Sequence, residues 1–160
     1  MPDKLEVIAN RASALESRLA QMERREHAPS SAGALKIHFV PLTTALVSGA
    51  WDGSSHATTA KTLIDLSTVF GVPAEIKAVL MNVWVKDSGA AANNCYIVLS
   101  PINTADKGQI CAAFPANDRW SYYEVIVPCN ANGDIYYQIQ ASGAKNFNVY
   151  LQVHGYWELS

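Results

Sequence analysis

Phe147-Asn148-Val149-Tyr150-Leu151-Gln152-Val153-His154-Gly155-Tyr156-Trp157 alternates with a period of two. Phe147, Val149, Leu151, Val153, Gly155 and Trp157 form one row, and Asn148, Tyr150, Gln152, His154, Tyr156 and Glu158 the other. Successive side chains of a strand point to opposite faces, so this pattern predicts a strand with its apolar row in a core. The preceding segment Ile135 to Ala141 repeats it, with Ile135, Tyr137 and Ile139 inward and Tyr136, Gln138 and Gln140 outward. The outward rows hold amides and tyrosines where a freely solvated face carries Lys and Glu. Tyrosine with little charge is typical of a contact surface. Tyr136, Gln138, Tyr150 and Gln152 are therefore expected at a subunit interface, with a ligand surface or a plain solvent face as alternatives.

Working back along the chain, Leu35 to Pro41, Glu75 to Asp87, Asn94 to Ser100, Gln109 to Phe114 and Arg119 to Val127 also read as strands. In Glu75 to Asp87, Val79, Met81, Val83 and Val85 share one face. Asp87-Ser88-Gly89, Asn130-Ala131-Asn132-Gly133-Asp134 and Ser142-Gly143-Ala144-Lys145-Asn146 are turn signals between strands. Leu66 to Ala74, ending in Gly71-Val72-Pro73, has room for one helical turn. About seven or eight strands with no second helix predict an all-β head over residues 35–160, a β-sandwich of jelly-roll type.

The N-terminal segment has another period. Leu5, Ile8, Ala12, Leu15, Leu19 and Met22 are spaced alternately three and four apart. That is a heptad seam, with Leu5, Ala12 and Leu19 at a and Ile8, Leu15 and Met22 at d. The stripe is too narrow for a globular core and calls for partner helices; a lone amphipathic helix on its own domain is the alternative. Parallel copies bring Arg11 to Glu16 and Arg18 to Glu23 of a neighbour, whereas antiparallel copies set Arg against Arg. Leu at two a positions and Ile at one d position lean towards trimers or tetramers. A seam of about three heptads is marginal alone, so the heads are expected to touch as well. Residues 1–27 are thus read as a parallel coiled coil and residues 28–34, with Pro29, Ser30, Ser31 and Gly33, as a linker.

Composition narrows the function classes. Charged residues are 16% and hydrophobic residues 49% of 160, with a formal net charge of −2. A nucleic-acid binder would carry a basic stripe, and none is present. No apolar run reaches the roughly 18 residues that span a bilayer. Met1-Pro2-Asp3-Lys4 leads into a charged heptad pattern rather than a signal peptide, so synthesis in a cytoplasm is expected. Cys95, Cys111 and Cys129 lack CxxC spacing and are expected to be buried free thiols, or else to form a disulfide in an oxidising medium.

Catalytic signatures such as GxSxG, HExxH or a phosphate loop are absent from the sequence. His27, His38, His56 and His154 have no metal-ligand spacing. Neither an enzyme nor a cofactor site is therefore expected. Trp51, Asp52 and His56 fall in a Gly/Ser-rich stretch too loose for a triad. They form a candidate sugar-contact set, and Trp120 and Tyr122, with Tyr123, Arg119 and Asp118, a second. In both, packing at a sandwich edge or between subunits is the competing reading.

A heptad stalk, a Ser/Gly/Pro joint and a β-domain ending in Phe-x-Val-x-Leu-x-Val-x-Gly-Tyr resemble small trimeric bacteriophage virion proteins. These are fibre tips, head or collar fibres and decoration proteins. Ile64-Asp65-Leu66-Ser67, Val72-Pro73-Ala74 and Lys77-Ala78-Val79-Leu80 are similar in style to such tail proteins. The likeness is architectural and carries no functional residues. It implies a non-enzymatic homotrimer made in the host cytoplasm and carried in the virion. Its N-terminal helix would dock on other virion proteins and its heads would adhere to a host-surface glycan or protein. The alternative is a decoration or cement protein that stabilises the particle.

Overall fold

Val79, Met81, Val83 and Val85 are fully buried, while Leu80, Asn82, Trp84 and Lys86 alternate with them on the other side of one long strand. The structure, a computed structural model, describes residues 36–89 and 94–160 together with Glu16. Glu16 is helical and exposed. The rest of the expected coiled coil, its seam residues, Arg11, Arg18 and Glu23, and the linker lie outside the described residues.

Among the described residues there are nine strands: β1 (Ile37–Leu46), β2 (Asp52–His56), β3 (Thr59–Ile64), β4 (Ala78–Asp87), β5 (Tyr96–Ser100), β6 (Gln109–Ala112), β7 (Ser121–Pro128), β8 (Ile135–Gln140) and β9 (Phe147–Leu159). A 3-10 turn at Gly49–Trp51 joins β1 to β2, and one short helix, α1 (Leu66–Phe70), follows β3. The strands form two antiparallel sheets, as the all-β reading expects. The first has the order β1-β9-β4-β7, with β2 also on β9, and the second β3-β8-β5-β6.

The buried faces of both sheets share one core. Val79, Met81, Val83 and Val85 of β4 and Phe147, Val149, Leu151 and Val153 of β9 belong to the same cluster as Ile97 and Leu99 of β5, Cys111 of β6 and Ile135 and Ile139 of β8. The helix closes one margin through buried Leu66 and Phe70. Asp65 caps it by accepting from the Thr68 amide at 2.9 Å, and Gly71, at φ 75°, ends it in the left-handed region that suits glycine.

Three findings depart from the sequence reading. Asp52 to His56, read as a loop for its Gly and Ser, is β2; pairing with the exposed edge of β9 outweighs its turn-like composition. Gly53, at φ 73°, is the extra residue of a bulge there. The alternation of β9 does not run to its end. His154 is an extra residue between Val153, which faces Met81, and Gly155, which faces Leu80. A one-residue insertion exchanges the two faces beyond it. Tyr156 consequently turns inward beside Val79 and packs on the core, and Trp157 turns outward to meet Phe39, with ring centroids 4.6 Å apart. Finally, β8 and β9 lie in different sheets. The single Tyr/Gln contact face expected of Tyr136, Gln138, Tyr150 and Gln152 is two faces on opposite sides of the core.

Candidate ligand-binding site

The outward row of β4 carries a tryptophan between an asparagine and a lysine. Strand register sets Trp84 directly between Tyr150 of β9 and Tyr122 of β7. Ring centroids lie 5.6 Å apart for Trp84 and Tyr150 and 5.7 Å for Trp84 and Tyr122. Trp120, just ahead of β7, closes the group with its ring 5.3 Å from Tyr150. Together the four rings line an open depression of about 390 Å³, hereafter the aromatic cavity. Trp120 and Tyr122 remain 45% and 57% exposed, although core packing would cover rings of their size.

The rim is polar. The Lys86 ammonium stands 5.2 Å from the centroid of the Trp120 ring and 3.1 Å from the Asp118 carboxylate. Asp118 has a left-handed backbone, φ 57°, and its amide donates to the Asp87 carbonyl at 3.2 Å. The loop that bears Trp120 is thereby tied to the end of β4. The Asp87 carboxylate is buried and accepts from the Gly89 amide at 2.8 Å, the Ser142 amide at 3.0 Å and the Ser142 hydroxyl. Burial works to raise its pKa, but the bonds from Ser142 and Gly89 outweigh it and hold the carboxyl below the usual range. On the other flank, Asn148 Nδ2 donates to the Gly53 carbonyl at 3.0 Å and lies 2.8 Å from Ser55 Oγ. A Cβ at Gly53 would stand 2.6 Å from the Tyr150 ring, so glycine is what lets β2 close against the cavity wall.

The two sugar-contact sets fare differently. Trp51 is only 6% exposed. It stacks on His56 at 4.9 Å and takes the edge of Tyr137 at 4.8 Å, so it belongs to the core and offers no face to a ligand. The expected contact role of Trp51 is thus corrected. His56 is packed against it, with Nε2 buried and unpartnered among the described residues. Asp52 remains exposed opposite Tyr150. The second set is brought together in part: Trp120 and Tyr122 line the cavity, but Tyr123 turns inward and donates to the Ala112 carbonyl at 2.7 Å. Arg119 lies 5.8 Å from the Phe114 ring centroid.

Of the expected interface residues, Tyr150 is a wall of the cavity and Gln152 lies opposite Asn82. Gln138 on the other sheet is engaged within the chain, its side-chain oxygen accepting from the Asp106 amide at 2.9 Å. Tyr136 is half-buried between Leu63 and Ser100. Sequence reasoning missed Trp84 and Lys86. The available signal was a tryptophan on the polar row of β4, out of phase with its valines.

Among the described residues no group of three or more His, Cys, Asp or Glu could hold a metal ion, and no helix is long and apolar enough to cross a membrane. No known protein-family model matches this chain, and no curated protein matches it either.

Proposed function

We propose that the chain is a non-enzymatic structural protein of a phage virion, a homotrimeric appendage whose β-sandwich heads adhere to the host surface. The observation that carries this reading is the strand order. Counted as one interrupted strand along β9, β1 and β2 leave eight strands in two four-stranded sheets, β1-β9-β4-β7 and β3-β8-β5-β6. This order supports the reading as a jelly roll, an architecture that recurs in viral capsid and lectin domains. The aromatic cavity on its outer face supplies a place to bind, and the heptad seam of Leu5, Ile8, Ala12, Leu15, Leu19 and Met22 a means to gather copies in parallel. The helix would dock on other virion proteins, and the chain would be made in the host cytoplasm.

Native mass measurement of the intact protein should give three times the mass of one chain, and the double substitution Leu15→Asp, Leu19→Asp should weaken assembly by placing charge in the seam. A monomer at micromolar concentration would overturn the trimer. Binding to whole host cells and to a glycan array tests adhesion, and failure of both would remove it.

A decoration or cement role is the second reading. It is favoured by an apolar group at the far end of the same sheet face, where Ile37, Phe39, Trp157 and Leu159 stand side by side in register, Ile37 being 59% exposed. Exposed apolar groups of this kind mark protein contacts. That role predicts tight binding to purified particles and greater particle resistance to heat.

A further inference from the structure

We infer that the cavity of Trp84, Trp120, Tyr122 and Tyr150 takes a single neutral pyranose unit, stacked on an indole face with its hydroxyls turned to Asp118 and Lys86. The inference deepens the adhesion reading and rests on it for its biological setting, but its chemistry stands on the geometry of the cavity.

Three ligand chemistries suit aromatic walls, and the rim chooses between them. A quaternary ammonium is drawn to the negative faces of several rings at once. Here one ring face is already taken by the Lys86 ammonium, 5.2 Å from the Trp120 centroid, so the several free faces that such a cation needs at once are not all open to it. An anionic sugar would need a free basic group. Lys86 is paired with Asp118 at 3.1 Å, and Asp118, with the exposed Glu124 one row along and Asp52 opposite Tyr150, would repel a carboxylate. A neutral pyranose meets neither objection. Its C–H face is apolar and slightly positive, which complements a π face. Its hydroxyls both donate and accept, as an ammonium–carboxylate pair requires of a partner placed beside it.

The site is also built to keep its shape. Trp84, Tyr122 and Tyr150 come from three adjacent strands, and rigid elements hold a binding constellation more precisely than loops. The fourth wall, Trp120, is on a loop, but that loop is tied to β4 twice, through the Asp118 amide on Asp87 and the Asp118 carboxylate on Lys86. Little ordering is left for a ligand to impose, which favours binding of a small, weakly interacting molecule.

The test titrates the full-length protein with the methyl glycosides of glucose, galactose, mannose and N-acetylglucosamine, with N-acetylneuraminic acid and with choline. Tryptophan fluorescence and calorimetry are the readouts. At least one neutral glycoside should bind saturably, with affinity little changed by salt. Trp120→Ala should weaken it by about tenfold or more, and Asp118→Asn by less, with thermal melts matching the parent. The inference is overturned if only N-acetylneuraminic acid or only choline binds, if no probe binds, or if Trp120→Ala binds as the parent does. Should Trp120→Ala misfold, Trp120→Phe, which keeps a smaller stacking face, should give an intermediate affinity; unchanged affinity would count against stacking. Sugar binding without attachment to cells would defeat the adhesion reading and leave this inference standing. Attachment to cells with no glycoside bound would do the reverse.

Discussion

The Asp118 amide donates to the Asp87 carbonyl at 3.2 Å, so the loop that carries Trp120 is fastened to the same strand that carries Trp84 and Lys86. Asp87 thus serves twice, its carbonyl holding the Asp118 loop and its carboxylate the Gly89 and Ser142 turns. One buried acid joins three connections at the cavity end of the fold.

Asp87→Ala should therefore destabilise the head by about 3 kcal/mol, since each buried donor left unpaired costs roughly 1–3 kcal/mol. Urea denaturation measures it. The Trp120 signal should change little in the same variant, because the Asp118 amide bonds the backbone carbonyl of residue 87, which the substitution keeps.

Acid should act through the same residue. Its folded pKa is held below its unfolded value of about 3.9, so its contribution is fully present above that value and is lost as pH falls through the folded one. The acid limb of a stability–pH curve for the parent should be steeper than that of Asp87→Asn.

His56 adds a milder slope at higher pH. Burial lowers its pKa from the ordinary value near 6.5, which favours the neutral ring stacked on Trp51. The unfolded chain then binds more protons, so stability present above pH 6.5 declines as pH falls towards and through the lowered folded value. His56→Phe retains an aromatic stack and should lose less stability between pH 7.5 and 5 than the parent does, as read by chemical denaturation at the two pH values.

Gly155→Ala should cost about 1–3 kcal/mol, the range for overpacking. The added Cβ would overlap the Phe39 ring and stand 2.9 Å from the Val40 carbonyl. The ring is able to move, but the backbone is not. A thermal melt should fall accordingly, and Phe39→Ala in the same chain should recover only part of the loss.

The thiols give a fifth check. Cys111 and Cys129 are free, and burial pushes both up to about 12, with Asp134 adding to the rise at Cys129 against Lys77. A thiol reacts as its thiolate. Iodoacetamide at pH 8 should leave both unmodified in the native protein and alkylate them in urea, as mass spectrometry will record.

The long strands were legible because each keeps its apolar row. β4 and the first half of β9 follow the alternation side chain by side chain. Two kinds of information were not in the pattern. A bulge is a single extra residue with no compositional mark, so Tyr156 and Trp157 were expected on the faces opposite to those they occupy. Partnership across a sheet is non-local, so β8 and β9 could not be assigned to different sheets, nor β2 recognised as a strand that borrows its order from β9. The candidate site was half visible for the same reason. Trp120 and Tyr122 stand together in the chain, whereas Trp84 and Tyr150 join them only through register.

The bulge at His154 also gives the outer face of the first sheet two poles. By turning Trp157 outward it completes an apolar end with Ile37, Phe39 and Leu159, while the aromatic cavity lies at the other end of β4. Asn82, Gln152 and Glu124 form a hydrophilic belt between them. The six steps from Ala78 to Trp84 span roughly 20 Å of strand, enough that a small molecule seated at one pole leaves the other uncovered. The β-domain thus presents two separate surfaces, set apart by a fixed length of strand.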